Sequence, residues 1–261
     1  MSSSRIEEAF KKTGNRAFIA FITGGDPDIE TTERLIHVMT ESGVDIIEIG
    51  IPFSDPIAEG PVIQAADERA LASGCTVDQL FDMTKRLRQK LDIPLLFMTY
   101  INPVFAYGAE KFMDKCVECG IDGIIVPDLP YEEKDELAIC AQKGVKLISL
   151  IAPTSWERVA KIAKEAEGFL YCVSSLGVTG IRNEITTNVS EMISEVKKTT
   201  DIPCAVGFGI STPEQAKEMA EVSDGVIIGS AIVNIIAQHG RDSEEAIKEY
   251  VKGIKAAMKV C

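Results

Sequence analysis

The most constraining feature of the sequence is an eightfold alternation between short apolar runs and amphipathic stretches. The runs are nearly continuous in hydrophobicity and rich in β-branched residues, which is typical of strands buried on both faces of a parallel sheet. Each run is followed by apolar residues at helical spacing, with mostly short connections and no Pro/Gly/Ser-rich linker. The predicted strands cover residues 17–23, 44–49, 94–99, 123–130, 146–152, 168–173, 203–206 and 225–228.

Eight strand–helix units in 261 residues predict an α/β protein consisting of a single (β/α)8 barrel domain over residues 1–261. The alternative, a doubly wound open sheet, usually has fewer strands at this length. Ile6 and Phe10 predict an extra amphipathic helix at the N-terminus. Further short helices are predicted in the loops after the second and eighth strands, whereas residues 100–108 are predicted to form a loop and residues 132–142 a helix.

The composition excludes several classes of protein. Apolar residues make up 46% of the chain and charged residues 26%, as in ordinary globular proteins. No apolar run approaches the ~18 residues of a membrane span, and residues 1–12 lack the apolar centre of a secretory signal, so we expect a cytoplasmic protein. A net charge of −13 argues against nucleic acid or an anionic membrane as a partner. Seven scattered cysteines indicate free thiols in a reducing compartment.

One predicted strand contains a carboxylate near its C-terminal end. Glu48 interrupts the run of residues 44–49, and an unpaired buried charge is costly, so we expect Glu48 to lie in a cleft with a perturbed pKa. Glycines and prolines then exclude regular structure over residues 50–61. Asp55 and Glu59 therefore lie on a rigid, turning loop. In a barrel, catalytic residues occupy the loops that follow the strands.

Two glycine-bearing turns follow the seventh and eighth predicted strands. They contain Gly207-Phe208-Gly209 and Gly229-Ser230, at the usual position of a phosphate site in barrels, where backbone N–H groups and a helix N-terminus face the ligand. Gly180 in the sixth loop could close a third side of the site. The turns are also explained as helix entries, with Ser211 or Thr212 as an N-cap. A site built from backbone dipoles would hold an anion on an acidic protein.

Elimination narrows the chemistry. The two histidines, His37 and His239, both lie away from strand ends, and no lysine ends a strand, so a zinc site and Schiff-base chemistry are both disfavoured. The pair Cys116 and Cys119 lies in a helical pattern without a second pair, which favours helix packing over a metal site. Acid/base catalysis by carboxylates remains, with Tyr171 and Tyr100 as possible helpers. Tyr171 is equally compatible with a role in the core.

Seven motifs give the sequence a resemblance to the α subunits of tryptophan synthase over essentially its whole length. This resemblance implies cleavage of indole-3-glycerol phosphate to indole and glyceraldehyde 3-phosphate in tryptophan biosynthesis, with no cofactor in this subunit. It also implies a pyridoxal-phosphate β subunit as partner, in an α2β2 heterotetramer. The motifs are Phe-Ile-Thr-Gly-Gly-Asp-Pro (21–27), Glu-Ile-Gly-Ile-Pro-Phe-Ser-Asp-Pro (48–56), Gly-Pro-Val-Ile-Gln (60–64), Pro-Asp-Leu-Pro (127–130), Gly-Val-Thr-Gly (177–180), Gly-Phe-Gly-Ile (207–210) and Ile-Gly-Ser-Ala (228–231).

The resemblance also implies roles for individual residues. Glu48 matches the acid/base glutamate, Glu59 matches the carboxylate that accepts the indole N–H, and Tyr171 matches a tyrosine near the acid/base group. Thr179 matches the threonine of a closing loop, and Asp55 an aspartate that meets this loop on the face toward the β subunit. Other implied substrate contacts are Phe21, Tyr100, Gly180, Phe208, Gly209, Gly229 and Ser230, and Asn102 and Pro130 are expected to face the partner.

The sequence departs from the family pattern on the indole side and in the closing loop. Glu59 replaces the usual Asp, Val62 replaces a common Thr, and Ser175-Leu176 replaces a common Arg-Ala. An arm longer by one methylene can misplace a carboxylate by ~1 Å, which can cost about a hundredfold in rate. Two further hypotheses therefore stay open: a free-standing lyase for a related phosphorylated substrate, and a regulatory subunit that binds phosphate ligands.

Overall fold

The computed structural model describes residues 4–14, 16–153, 156–173, 182–207 and 209–259, with the backbone alone described for 182–188. Its eight strands are all parallel to their neighbours and close into a barrel in the order in which they occur in the chain. The prediction of a (β/α)8 barrel is therefore confirmed. The strands are β1 (Ala17–Thr23), β2 (Ile46–Gly50), β3 (Leu95–Met98), β4 (Gly123–Ile125), β5 (Lys146–Ile151), β6 (Leu170–Val173), β7 (Cys204–Gly207) and β8 (Gly225–Ile228).

Helices surround the barrel and connect its strands. The predicted N-terminal helix is present, and additional helices follow β2 and β8, as expected. The helices are α1 (Arg5–Lys12), α2 (Ile29–Ser42), α3 (Pro61–Ala72), α4 (Val77–Arg88), α5 (Ile101–Tyr107), α6 (Ala109–Cys119), α7 (Ile139–Lys143), α8 (Trp156–Glu165), α9 (Arg182–Lys197), α10 (Pro213–Val222), α11 (Ser230–His239) and α12 (Glu244–Met258), with 3-10 segments at Tyr131–Leu137 and Gly240–Asp242.

The N-terminal helix closes one end of the barrel. Ser4 caps α1 by accepting a hydrogen bond from the Glu7 amide, at 3.3 Å. Ile6 and Phe10 are almost fully buried and pack with the residues inside the barrel, and the rings of Phe10 and Phe169 lie 5.7 Å apart. Helix α1 therefore covers the N-terminal ends of the strands.

Two predicted elements differ from the structure. Residues 101–107 form a helix rather than a loop, because the carboxylate of Asp128 accepts a hydrogen bond from the Ile101 amide at 3.0 Å and caps α5 from a distant part of the chain. The fourth strand ends at Ile125, well before residue 130, since the ladder with β5 stops there and the prolines that follow lack an N–H group. The helix predicted over 132–142 is divided between the 3-10 segment Tyr131–Leu137 and α7.

The inference that Cys116 and Cys119 serve helix packing agrees with the structure. Cys116 and Cys119 are buried on the inner side of α6 and belong to the outer core between the helices and the sheet. None of the described helices has the length and hydrophobicity to cross a bilayer.

Candidate active site

A cavity of about 320 Å³ opens at the C-terminal ends of the strands. Its wall combines two acids and a tyrosine with apolar side chains on one side and the turns that follow β7 and β8 on the other. The lining residues are Phe21, Glu48, Ala58, Glu59, Gly60, Ile63, Met98, Tyr171, Gly209, Ile210, Ser211, Ile227, Gly229, Ser230 and Ala231.

Glu48 is the central acid of this cavity. It is the third residue of β2, paired with Phe21 in β1 and Leu96 in β3, and it is fully buried at 0% exposure. Neither carboxyl oxygen has a hydrogen-bond partner among the described residues. Burial therefore raises the pKa of Glu48 to about 8. At neutral pH Glu48 is a neutral carboxylic acid, which can donate a proton to a ligand in the cavity.

Tyr171 in β6 faces Glu48 across the cavity. Burial and the nearby Glu48 raise the pKa of its hydroxyl well above the usual range, so the phenol stays protonated. The neighbouring strand leaves space for this side chain, because a Cβ atom at Gly207 would lie 2.5 Å from the Tyr171 hydroxyl oxygen. Tyr171 thus belongs to the barrel interior and to the cavity wall at once, and the two roles considered from the sequence do not exclude each other.

Phe21 supplies the apolar side of the cavity. Its ring lies against the backbone of β2, since a Cβ atom at Gly50 would come within 2.6 Å of the ring. A second glycine, Gly229, lies on the other side, where an added Cβ would be 3.3 Å from Phe21. Phe21, Ile63 and Met98 thereby form an apolar wall near the two acids. Such a wall suits a flat aromatic group.

Glu59 lies at the end of the loop that follows β2, and its backbone is anchored there. The Gln64 side-chain amide donates a hydrogen bond to the Glu59 carbonyl at 2.8 Å. The Glu59 side chain is half-buried on the cavity wall, and its Oε2 atom has no hydrogen-bond partner among the described residues. Burial raises the pKa of Glu59, while hydrogen bonds from Asp67 and Tyr100 oppose that shift.

Tyr100 contacts Glu59. Tyr100 is 2% exposed and is absent from the lining, and its hydroxyl accepts a hydrogen bond from the Ala58 amide at 3.0 Å. It therefore fixes the end of the loop that carries Glu59.

Sequence reasoning missed Asp67 of α3, which lies on the buried face of that helix with Ile63 and Ala70 and contacts Glu59. The only signal in the sequence is an acid at helical spacing among apolar residues. Asp26, buried after β1, was also missed; it receives two hydrogen bonds from Arg69, at 2.8 and 2.7 Å.

The two glycine-bearing turns differ in whether side chains satisfy the first backbone amides of the helix that follows. At α10, Thr212 accepts a hydrogen bond from the Gln215 amide, and the Gln215 side chain accepts from the amides of Ser211 and Thr212. The prediction that Ser211 or Thr212 caps this helix is confirmed for Thr212. At α11 the N-cap is Gly229, which has no side chain to satisfy the first amides. The N-terminus of α11 is therefore the better anion site on this cavity.

The remaining residues singled out from the sequence lie elsewhere. Asp55, Asn102 and Pro130 are exposed on the segments that follow β2, β3 and β4, outside the cavity. Thr179, Gly180 and Phe208 lie outside the described residues. No group of three His, Cys, Asp or Glu side chains suited to a metal ion is found in the described part of the chain.

Comparison with known proteins gives consistent matches. The family model for the tryptophan synthase alpha chain matches residues 8–260. The tryptophan synthase alpha chain of Lacticaseibacillus casei is 46% identical over 259 residues, which is 99% of this chain and 97% of the relative. A crystal structure of tryptophan synthase subunit alpha from Legionella pneumophila superposes with a TM-score of 0.89 at 38% identity, covering 98% of this chain and 99% of that one. A chain from the tryptophan synthase α2β2 complex of Pyrococcus furiosus gives a TM-score of 0.85 at 37% identity, with coverages of 92% and 98%.

Proposed function

Because the chain belongs to the tryptophan synthase alpha chain family, we propose that it is a lyase that splits indole-3-glycerol phosphate into indole and glyceraldehyde 3-phosphate. The observation that carries the proposal is that Glu48, buried and without a hydrogen-bond partner among the described residues, shares one cavity with an uncapped helix N-terminus and an apolar wall. These three features suit an acid/base step, a phosphate and an aromatic ring.

In this proposal Glu48 transfers both protons of the reaction. As the neutral acid it protonates the indole carbon that bears the side chain. As the resulting carboxylate it removes the proton of the adjacent hydroxyl group; the carbon–carbon bond then breaks, and its electron pair restores the indole ring while the hydroxyl carbon becomes the aldehyde. Glu48 ends the cycle protonated, so the residues need no external acid, and we propose catalysis without a cofactor in this subunit.

Glu59 stabilises the intermediate. Protonation of the ring carbon places positive charge on the ring nitrogen, and a carboxylate that accepts the N–H is most effective at that moment. Its Oε2 atom, buried and without a partner among the described residues, supports this role. Phe21 and Tyr171 flank the ring, and the amides at the start of α11 bind the phosphate together with the Ser230 hydroxyl.

A β subunit of tryptophan synthase is the partner of this family's α chain, and we propose that here it is a pyridoxal-phosphate enzyme in an α2β2 assembly. Helix α5 and the loop that follows β2 support this. They expose Ile57 at 80% and Phe105 at 48%, and they also contain Asp55 and Asn102. Exposed apolar side chains bordered by polar ones are typical of protein interfaces.

The test is indole release from indole-3-glycerol phosphate, with and without a tryptophan synthase β subunit. We expect turnover by the wild type, stimulation by the partner, and a loss of about 10²–10⁴-fold in kcat for Glu48→Gln, since that is the usual contribution of a positioned acid/base group. Glu68→Gln is the matched control, because Glu68 is exposed on α3 and should leave the rate unchanged.

Glu59→Asp is the third variant in this test. Indole release by the wild type within about tenfold of Glu59→Asp would show that the glutamate is tolerated. An inert wild type whose activity returns with Glu59→Asp would contradict the proposal for this chain and favour a regulatory role or another phosphorylated substrate. Full activity without any effect of the β subunit would favour a free-standing lyase.

A further inference from the structure

Asp67 is a buried acid that the proposed mechanism does not use. It is 3% exposed in α3 and forms no ion pair with any described residue. The nearest cation on its own helix, Arg69, is engaged by Asp26 through two hydrogen bonds at 2.8 and 2.7 Å. An isolated buried carboxylate would be costly, so the environment of Asp67 must favour its neutral form.

The contacts of Asp67 show which group accepts a hydrogen bond from its carboxyl group. Its carboxyl group is hydrogen-bonded to the carboxyl group of Glu59, and two carboxyl groups can share a hydrogen bond only when one of them carries a proton. Burial and the negative charge of Glu59 raise the pKa of Asp67 to about 8, although the Phe53 amide opposes the shift by donating a hydrogen bond. The same hydrogen bond lowers the pKa of Glu59. Asp67 is the more deeply buried of the two, at 3% exposure, whereas Glu59 is half-buried on the cavity wall. Asp67 is therefore the donor and Glu59 the anion.

We propose that Asp67 is a positioning residue: in its protonated form it donates a hydrogen bond to Glu59 and fixes this carboxylate with one oxygen free toward the cavity. The catalytic consequence rests on the proposed function, in which Glu59 accepts the ring N–H. The free Oε2 atom of Glu59 on the cavity wall is the acceptor that this arrangement leaves available.

The proposal explains how a glutamate can serve at this position. Glu59 has one more rotatable bond than an aspartate, and an unrestrained arm would spread its carboxylate over several rotamers. Asp67 from α3 and Tyr100 from the segment after β3 hold it from two elements. Because Asp67 also accepts a hydrogen bond from the Phe53 amide, one side chain connects the start of the loop after β2 with its end at Glu59.

The pair should respond to pH as a unit. The charged or titratable groups near Asp67 are Glu59 from the loop before α3, Asp26 from the loop after β1 with its partner Arg69, and Tyr100 at the N-cap of α5. Arg69 is the only cation among them and already pairs with Asp26. Loss of the shared proton would therefore leave two carboxylates in contact, and their repulsion would displace Glu59.

Two substitutions of Asp67 distinguish the effect of its hydrogen bond to Glu59 from the effect of its ionisation. Asp67→Asn keeps a donor for Glu59 and an acceptor for the Phe53 amide but cannot ionise, so we expect kcat at pH 7 within about threefold of the wild type, a change of less than 1 kcal/mol. Asp67→Ala removes both contacts; we expect a loss of kcat of up to about a hundredfold, with a much smaller change in KM, because ~1 Å of misplacement costs that much. Glu68→Gln is the exposed control on the same helix.

The pH dependence of kcat/KM gives a readout that a structural role alone would not change. Glu48 must be protonated for activity and so must Asp67, so the logarithm of kcat/KM of the wild type should fall above pH 8 with a slope approaching −2. In Asp67→Asn only Glu48 remains to titrate, and the slope should be −1. An unchanged slope in Asp67→Asn together with full activity of Asp67→Ala would overturn the positioning role.

A second measurement is independent of catalysis. In protein labelled with ¹³C at its Asp and Glu carboxyl groups, the Glu59–Asp67 pair should titrate in two coupled steps. Asp67→Asn should remove the upper step, and Asp67→Ala, which also removes the hydrogen bond, should raise the pKa of Glu59. If Glu48→Gln retains wild-type activity while these coupled steps are present, the proposed function fails and the carboxyl pair stands. If Glu48→Gln is inert and Glu59 titrates identically in the wild type and Asp67→Asn, the pair is refuted and the proposed function stands.

Discussion

The two ends of the cavity differ in their electrostatics: one consists of buried carboxyl groups and the other of backbone amides at a helix N-terminus. At the acid end, Glu48 and the pair of Glu59 with Asp67 are carboxyl groups whose protonation is controlled by burial and by one another. At the other end, where we propose that phosphate binds, Gly229 leaves the first amides of α11 without a side-chain cap and the site consists mainly of backbone. We call this the phosphate end. The acid end keeps protons on acids, whereas the phosphate end provides positive potential without a cation.

This difference determines how each end should respond to change. Backbone amides do not titrate, so the phosphate end should be insensitive to pH and vulnerable to added negative charge or bulk. The acid end should be sensitive to pH and to the removal of single oxygen atoms. It also imposes a cost on folding, because an acid held neutral in the folded protein is ionised in the unfolded chain at the same pH.

The largest expected effect concerns stability at the acid end. The pKa of Glu48 is about 8 in the folded protein, well above that of an unfolded chain, so the folded state binds one more proton between about pH 4.5 and pH 8. Its contribution to the free energy of unfolding is complete below pH 4.5 and declines by ~1.4 kcal/mol per pH unit as the pH rises toward 8. Glu48→Gln removes this term. Chemical denaturation at pH 5, 6, 7 and 8 should show the wild type losing stability relative to the variant at each step.

The difference between the two pH slopes isolates Glu48, since every other titrating group is common to both proteins. The absolute stability of the variant carries less information, because a buried amide brings its own hydrogen-bond requirements. Parallel slopes for the wild type and Glu48→Gln would mean that Glu48 titrates normally in the folded protein. The contrast between the two ends would then lose its main support.

The second effect concerns Gly207, the last residue of β7, which lies beside Tyr171. A Cβ atom at Gly207 would lie 2.5 Å from the Tyr171 hydroxyl oxygen, so Gly207→Ala must displace this side chain from its place near Glu48. Overpacking of this kind typically costs about 1–3 kcal/mol of stability. We expect thermal denaturation to show that loss, accompanied by a reduced kcat for indole release.

The matched control for Gly207→Ala is Gly253→Ala in α12. Gly253 is exposed and an added Cβ has no neighbour within 4 Å, so this substitution should stabilise the helix by up to about 1 kcal/mol. Equal effects of the two substitutions would show that Tyr171 has room to move, and its position beside Glu48 would then not depend on Gly207.

The fold and the uncapped start of α11 were largely predictable from the sequence, because their signals are local. Eight buried runs, each followed by an amphipathic helix, specify a barrel, and a glycine at a helix entry already indicates free amides. Helix α5 was not predictable, since its cap comes from Asp128, 27 residues further along the chain. The local sequence of residues 100–108 contains no such acid.

The acid end was only partly predictable. Glu48 is conspicuous because a carboxylate interrupts an apolar strand, and the structure gives it the perturbed pKa that this position suggested. Asp67 is one acid among several in a helical segment, and its importance depends on a contact with Glu59 that only the packing of α3 against the loop after β2 creates. The role of Tyr100 in holding the loop that carries Glu59 was likewise not predictable, because the hydrogen bond from the Ala58 amide to its hydroxyl joins two segments 42 residues apart.

The smallest expected effect concerns the phosphate end. It tests whether the N-terminus of α11 or that of α10 binds the phosphate. Ser230→Asp places a carboxylate at the first residue of α11, where it would stabilise the free helix by about 0.3–1 kcal/mol and repel a phosphate. We expect KM for indole-3-glycerol phosphate to rise about tenfold, equivalent to ~1.4 kcal/mol, with a smaller change in kcat. Ser230→Asn, which has the same shape without the charge, is the control.

Ser211→Asp introduces the same charge at the N-terminus of α10, where Thr212 and Gln215 already satisfy the amides, so its effect on KM should be smaller. A larger rise in KM for Ser211→Asp than for Ser230→Asp would move the phosphate to α10 and show that an existing cap does not prevent a helix terminus from binding an anion.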